Sequence, residues 1–311
     1  MDAFSETERN FNAIVVLGPT ASGKTSLAVS LATELGGEII SVDSRQIYKG
    51  MDIGTGKDLE EYGEVPHHLI DIREAGEQYN VHQYQLDFQR VFEELEARHS
   101  LPILCGGTGL YLEAVLKKHQ YTGIPVNENL RNELAMLTDE QLQKRFHEST
   151  SSYHSLADLS TRKRTIRALE MAEYLRNNVL QTVPAAQVNP LVLGINPSVE
   201  VRRKRISTRL RKRLQEGFIE EVQRLLTRGI PADKLIYYGL EYKFITEYLQ
   251  GHWDLPTMIA RLEVAIHQFA KRQMTFFRKL ERDGVPIHWL EGEPDEIKKQ
   301  AFELAKQALK R

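Results

Sequence analysis

Residues 12–25 read NAIVVLGPTASGKT, and residues 26–35 continue as SLAVSLATEL. The run 12–17 is apolar and rich in β-branched residues, which predicts a buried strand. Residues 26–35 have helical spacing, with Gly36-Gly37 as their stop. Between them Gly18-Pro19-Thr20-Ala21-Ser22-Gly23-Lys24-Thr25 fits the pattern G-x-x-x-x-G-K-[ST]. It does so in the strand–loop–helix context that gives the pattern its meaning. Backbone N–H groups of such a loop converge on phosphate oxygens, and the helix N-terminus adds partial positive charge. Lys24 supplies a cation and Thr25 a hydroxyl for Mg²⁺. These eight residues predict a di- or triphosphate site without saying which molecule carries the phosphates.

Working outward, residues 38–42 (EIISV), 68–72 (HLIDI) and 101–105 (LPILC) predict further strands, and 83–98 an amphipathic helix. Strands alternating with helices imply crossover connections and a parallel sheet. From about 127 to 176 the chain is rich in Leu, Arg, Glu and Gln and reads as helical. Residues 191–195 (LVLGI) return to the sheet. Helices follow at about 199–227, 242–250 and 255–280, with a last strand at 287–290 (IHWL). The expected fold is α/β: a P-loop NTPase-like parallel sheet core flanked by helices, with a helical insertion domain. Residues 1–125 and 190–311 form the core in this reading, and 126–189 the insertion.

The 311 residues are 41% hydrophobic and 27% charged, an ordinary balance for a globular protein. Collagen-like and wholly disordered classes are excluded. No apolar run approaches the roughly 18 residues of a membrane span, and the polar start MDAFSETERN does not read as a secretory signal. The single cysteine, Cys105, cannot build a disulfide framework or a zinc site. A cytoplasmic monomer with no obligate protein partner is expected. The net charge of −2 hides an asymmetry: residues 1–120 carry 10 Lys/Arg against 19 Asp/Glu, and the remainder 31 against 24. Residues 201–213 (VRRKRISTRLRKR) hold eight basic residues and no acid, and 161–167 (TRKRTIR) hold four in seven. One such run is usually a solvated helix face. Several in one half of a chain point to a polyanionic partner.

Two more segments fall at the sheet edge where the phosphate loop ends. Asp43 sits just past the second strand, where open α/β folds place ligands. A carboxylate there serves a metal through water, acts as a base, or simply caps a turn. Gly106-Gly107-Thr108-Gly109-Leu110-Tyr111 follows the fourth strand and offers backbone donors and the Thr108 hydroxyl. Asp71, at the end of a hydrophobic run, resembles a Walker B acid.

GPTASGKT, SVDSRQIYKGMDIGTGK (41–57), VPHHLIDI (65–72) and GGTGLYLEAVL (106–116), in that order, resemble the tRNA dimethylallyltransferase (tRNA isopentenyltransferase) family, bacterial type. The likeness continues through RTIRALE (164–170), GFIEEV (217–222) and AKRQMTFFR (270–278), so it spans roughly 12–290. It implies transfer of a dimethylallyl group from dimethylallyl diphosphate to N6 of the adenosine at tRNA position 37, 3′ to the anticodon. The resemblance implies Mg²⁺ as cofactor, with Thr25 as its protein ligand, and tRNA and dimethylallyl diphosphate as partners. It assigns Asp43 as general base, with Thr108 contacting the substrates and Lys24 completing the catalytic set. The loop Gly18–Thr25 and Arg209 bind the diphosphate. It further implies tRNA contacts from Asp43, Ser44, Arg45, Gln46 and Thr108, and from Arg131. Lys163, Arg164, Thr165, Ile166 and Arg167 form a second contacting segment, gripping the anticodon stem-loop. Lys271, Arg272, Gln273 and Arg278 form a third, with Phe276 and Phe277 expected in the core. Tyr242 and Lys243 are added, although many bacterial members carry Val-Gly-Tyr where this chain has Gly239-Leu-Glu-Tyr.

Three other readings fit parts of this pattern. A small P-loop kinase would turn over ATP. An isopentenyltransferase acting on free adenine nucleotides would need neither the basic insertion nor AKRQMTFFR. A non-catalytic RNA-binding protein would have no use for Lys24, Thr25 and Asp43 together.

Overall fold

The computed structural model describes residues 11–180 and 186–308; the polar start 1–10 and residues 181–185 of the expected insertion lie outside the described residues. In chain order the elements are β1 (Ala13–Leu17), α1 (Lys24–Leu35), β2 (Gly37–Val42), β3 (His67–His68), α2 (Val81–Ala97), β4 (Leu101–Gly106) and α3 (Gly109–Leu116). Then come α4 (Glu128–Ala135), α5 (Asp139–Glu148) and α6 (Arg162–Asn177). The chain closes with β5 (Pro190–Ile195), α7 (Val199–Gln215), α8 (Phe218–Thr227), α9 (Ala232–Tyr237), α10 (Leu240–Leu249), α11 (Leu255–Arg282), β6 (His288–Leu290) and α12 (Pro294–Ala308).

The six strands form one sheet in the order β3-β2-β4-β1-β5-β6, with every pairing parallel. Strand β1 is central: Val16 stands between Cys105 of β4 and Leu193 of β5. Its period of two divides the core. Ala13, Val15 and Leu17 pack with Phe88, Tyr84 and Phe277, while Ile14 and Val16 pack with Leu27, Leu31 and Ala301 on the other face. A strand buried on both sides must be apolar throughout, which is why NAIVVL shows no alternation.

Two expectations change. The third strand, expected over 68–72, is only two residues long. Leu69 and Asp71 take left-handed φ values of 61° and 54°, which end the extension. The helix expected over 199–227 is two, because Gly217 turns the chain at φ 95° between α7 and α8.

The chain divides into two compact units, Met1–Lys117 with Ala186–Arg311, and Lys118–Ala185. The second starts earlier than the residue 126 read from composition, since its boundary is set by packing: Tyr121 lies edge-on to Tyr153. Leu134, Leu142, Phe146 and Ala168 form its own small core from α4, α5 and α6. Arg131 and Arg167 both pair with Glu170, whose side chain is fully buried. Arg164 pairs with Asp158, and the hydroxyl of buried Thr165 donates to backbone carbonyls. Ile166 packs against the same core. Among the described residues no helix is long and apolar enough to cross a membrane.

Candidate active site

The phosphate loop leaves β1 at Gly18, where a Cβ would stand 2.7 Å from the Ile195 carbonyl oxygen and 2.8 Å from Ser22 Oγ. Only glycine lets the chain turn that close to β5. Lys24 opens α1 and points back across the loop, its Nζ donating to the Pro19 carbonyl at 2.8 Å. Burial, aided by nearby Arg209, lowers its ammonium to about 8. Cys105 of β4 lies beneath and contacts Thr25. Burial pushes its thiol up to about 12, so it is no nucleophile at neutral pH.

The segment after β2 is built into the same edge. Asp43 Oδ1 accepts the Arg45 N–H at 2.8 Å, and Thr108 Oγ1 accepts the Ser44 N–H at 3.0 Å. The Thr108 N–H donates to the Val42 carbonyl at 3.1 Å, which fastens the turn after β4 to the end of β2. Gln46 donates to the Gly56 carbonyl at 3.1 Å and accepts from Ser41 Oγ at 3.0 Å. The Arg45 guanidinium lies 5.7 Å from the centre of the Tyr237 ring.

Residues 51–57 are held by a charge that sequence reasoning missed. The buried carboxylate of Glu221 on α8 accepts the N–H groups of Asp52, Ile53 and Gly54 at 2.9, 2.8 and 3.1 Å, and the Tyr242 hydroxyl at 2.7 Å. The signal was available: Glu221 falls among Phe218, Val222 and Leu225 on the apolar stripe of α8. Lys57 is also buried, donating to the Tyr48 carbonyl and pairing with Asp52 and Asp71. Asp71 is therefore the counter-ion of a buried lysine, not a Walker B metal ligand. Tyr242, expected to contact tRNA, lines the cavity with its ring packed against Phe218 and its hydroxyl bonded to Glu221.

These loops line one cavity of about 600 Å³ at the carboxyl ends of the strands. Lys24, Thr25, Asp43 and Thr108 share it with Arg209 and Arg213 of α7. Phe269, Arg272 and Phe276 of α11 form the facing wall, with Glu241 and Lys243 of α10. Arg209 pairs with Asp58, and burial raises the Glu241 carboxyl above its ordinary range. A second opening of about 520 Å³ shares Lys24, Thr25 and Arg209 and adds Arg205 and Lys298.

The four α11 assignments separate. Arg272 faces the cavity, and Lys271 and Arg278 are exposed on the helix surface. Gln273 is buried, where its amide accepts the Thr20 N–H at 2.8 Å and donates to the Gly107 carbonyl at 2.9 Å. It joins the phosphate loop to the turn after β4 and also lines the cavity. Phe277 is core as expected, but Phe276 turns to the cavity over Gly109.

A hard cation fits this donor set. The described residues contain no group of three or more His, Cys, Asp or Glu able to cage a metal. Mg²⁺ needs no such cage, since it is held by one or two protein oxygens, substrate phosphates and water. Thr25 and Asp43 both offer oxygen to the cavity.

The IPP transferase profile matches residues 46–280 and the isopentenyl transferase profile residues 11–68. A tRNA dimethylallyltransferase of Porphyromonas gingivalis is 52% identical, covering 89% of this chain and 93% of the relative. One of Geotalea uraniireducens is 48% identical, covering 92% and 95%. Among solved structures, a tRNA isopentenylpyrophosphate transferase from Bacillus halodurans superposes with a TM-score of 0.72 at 32% identity, covering 96% of both chains. A Staphylococcus epidermidis tRNA isopentenylpyrophosphate transferase gives 0.66 at 28%, covering 95% and 98%. With a phosphate loop and a carboxylate facing one cavity, and this likeness along nearly its whole length, the chain belongs to the IPP transferase family, that of the tRNA dimethylallyltransferases.

Proposed function

We propose that the protein transfers the dimethylallyl group of dimethylallyl diphosphate to N6 of the adenosine at tRNA position 37. The observation that carries this reading is the single cavity that Lys24 and Thr25 share with Asp43. A leaving diphosphate and an amine losing a proton must meet within one such space.

In this reading residues Gly18–Thr25 and Arg209 bind the diphosphate. Lys24, now bonded to the Pro19 carbonyl, turns to the phosphates and offsets the charge that grows as the C1–O bond breaks. Thr25 holds Mg²⁺, which supplies further positive charge to the diphosphate when bound. The adenine N6 lone pair is delocalised into its ring, so the amine attacks poorly unless a proton leaves as the N6–C1 bond forms. Asp43 takes that proton, held in place by the Arg45 N–H. Thr108 fixes the segment bearing Asp43 through Ser44 and contacts the substrates.

The target base must leave the anticodon loop to reach Asp43, as bases do for other base-modifying enzymes. Ser44, Arg45, Gln46, Lys243, Lys271, Arg272 and Arg278 receive the RNA around the cavity. The helical unit grips the anticodon stem-loop with Lys163 and Arg164, on a framework held by Arg131 and Arg167. Incubation with dimethylallyl diphosphate, Mg²⁺ and unmodified tRNA, followed by mass analysis of nucleosides, tests the reading. A single dimethylallyl-adenosine at position 37 is expected. Alkylation of free AMP but not of tRNA, or ATP turnover without prenyl transfer, would overturn it.

A further inference from the structure

The basic run of α7 is not uniform. Arg203, Lys204, Arg211 and Lys212 are exposed, as a solvated face requires, whereas Arg209 and Arg213, one turn apart, line the cavity. Arg213 is the more enclosed of the two, its side chain 11% exposed against 32% for Arg209. Its Nη2 is sealed from solvent and has no hydrogen-bond partner among the described residues. The nearest acid, Asp58, stands 4.0 Å away and already pairs with Arg209. Burial first, and then the like charge of Arg209, hold Arg213 down to about 10. Arg209 in turn disfavours the charge on Lys24. Lys24, Arg209 and Arg213 thus share the cavity wall with Asp43 and Glu241, and the like charge of Arg209 works against the other two. A buried guanidinium with an unmet donor is costly, and an anion bound among the three would repay that cost.

The loop makes room for this arrangement. A Cβ at position 56 would lie 1.6 Å from Arg213 Nη2 and 2.4 Å from Arg209 Nη2, so the absent side chain of Gly56 is the space the two guanidinium groups occupy.

We infer that Arg213 is a second diphosphate-binding arginine, whose guanidinium donates beside Arg209 to the donor's terminal phosphate and makes the cavity select a diphosphate over a monophosphate. This rests on the proposed donor, and it names a residue that determines donor specificity. The competing role is structural, with Arg213 serving only to balance Glu241, whose carboxylate it favours.

Calorimetric titration of the full-length protein with inorganic pyrophosphate and with orthophosphate, in Mg²⁺, separates the two. Arg213→Met should bind pyrophosphate about 10- to 100-fold more weakly, the size of one charge-assisted contact, with orthophosphate changed less than about threefold. Arg213→Lys keeps the charge without the planar fork and should fall between. Tm and affinity for tRNA should hold for both. Pyrophosphate binding by a folded Arg213→Met or Arg213→Lys protein within twofold of wild type would overturn the inference. So would a loss equal for both anions that follows Tm and is not relieved by lysine. If wild type itself binds no pyrophosphate, the proposed donor is wrong, which is a different failure.

Discussion

Alanine at position 56 isolates what the 51–57 loop does for the site. Gly56 has φ +64° and Gly50 φ +70°, so either replacement places a β-carbon in the left-handed region. That costs about 1 kcal/mol each, or about 2–4 °C in Tm for a unit of this size. The surroundings differ. At position 50 the nearest atom to a new Cβ is Arg228 Nη1 at 3.6 Å, ordinary contact. At position 56 the Cβ would stand 1.6 Å from Arg213 Nη2 and 2.4 Å from Arg209 Nη2. The Arg213 group must retreat by about 2 Å to reach van der Waals separation. A displacement of about 1 Å at a positioning group costs roughly 10²-fold. Gly56→Ala should therefore lower kcat/KM for dimethylallyl diphosphate by about 10²-fold, or ~2.7 kcal/mol of transition-state stabilisation. Gly50→Ala should match it in Tm and leave kcat/KM within about twofold. The assay is steady-state turnover at saturating tRNA with the donor varied, beside melting curves of both variants. Equal kcat/KM in the two would refute the reasoning.

Three other outcomes follow from the geometry. Asp43→Ala should lower kcat by roughly 10²–10⁴-fold with tRNA affinity little changed; near-normal turnover would remove Asp43 from the proton transfer. Lys24, lowered to about 8, is charged below that pH and neutral above it, so log kcat/KM for the donor should bend downward near pH 8 toward a slope of −1. A profile flat to pH 9 would contradict this. In the helical unit Arg131 and Arg167 are committed to buried Glu170, whereas the pair of Arg164 with Asp158 is exposed and leaves Arg164 available to RNA. Lys163→Ala should therefore reduce the slope of log K for tRNA against log salt by up to about 0.9, while Arg131→Ala should act mainly on melting of that unit. A slope untouched by Lys163→Ala would move the RNA surface elsewhere.

The phosphate loop was legible in the sequence because its chemistry is local: a strand, eight residues and a helix set their own geometry through backbone N–H groups and glycine. The parallel sheet was legible for a related reason, since strands buried on both faces read as unbroken apolar runs. Asp43 and Thr108 could be placed at the sheet edge from the strands that precede them. What the sequence could not reveal was pairing between distant residues. Glu221 looked like one more acid in GFIEEV, and its role exists only because α8 packs where the 52–54 backbone needs an acceptor. Gln273 and Tyr242 looked like surface residues of RNA-contacting segments, but helix rotation turned them inward to bond Thr20, Gly107 and Glu221. Arg213 was one of eight basic residues in thirteen until the register of α7 against Gly56 set it apart. Motif chemistry depends on neighbours along the chain and survives in one dimension. The state of a buried charge depends on what is folded against it, and only the tertiary structure supplies that partner.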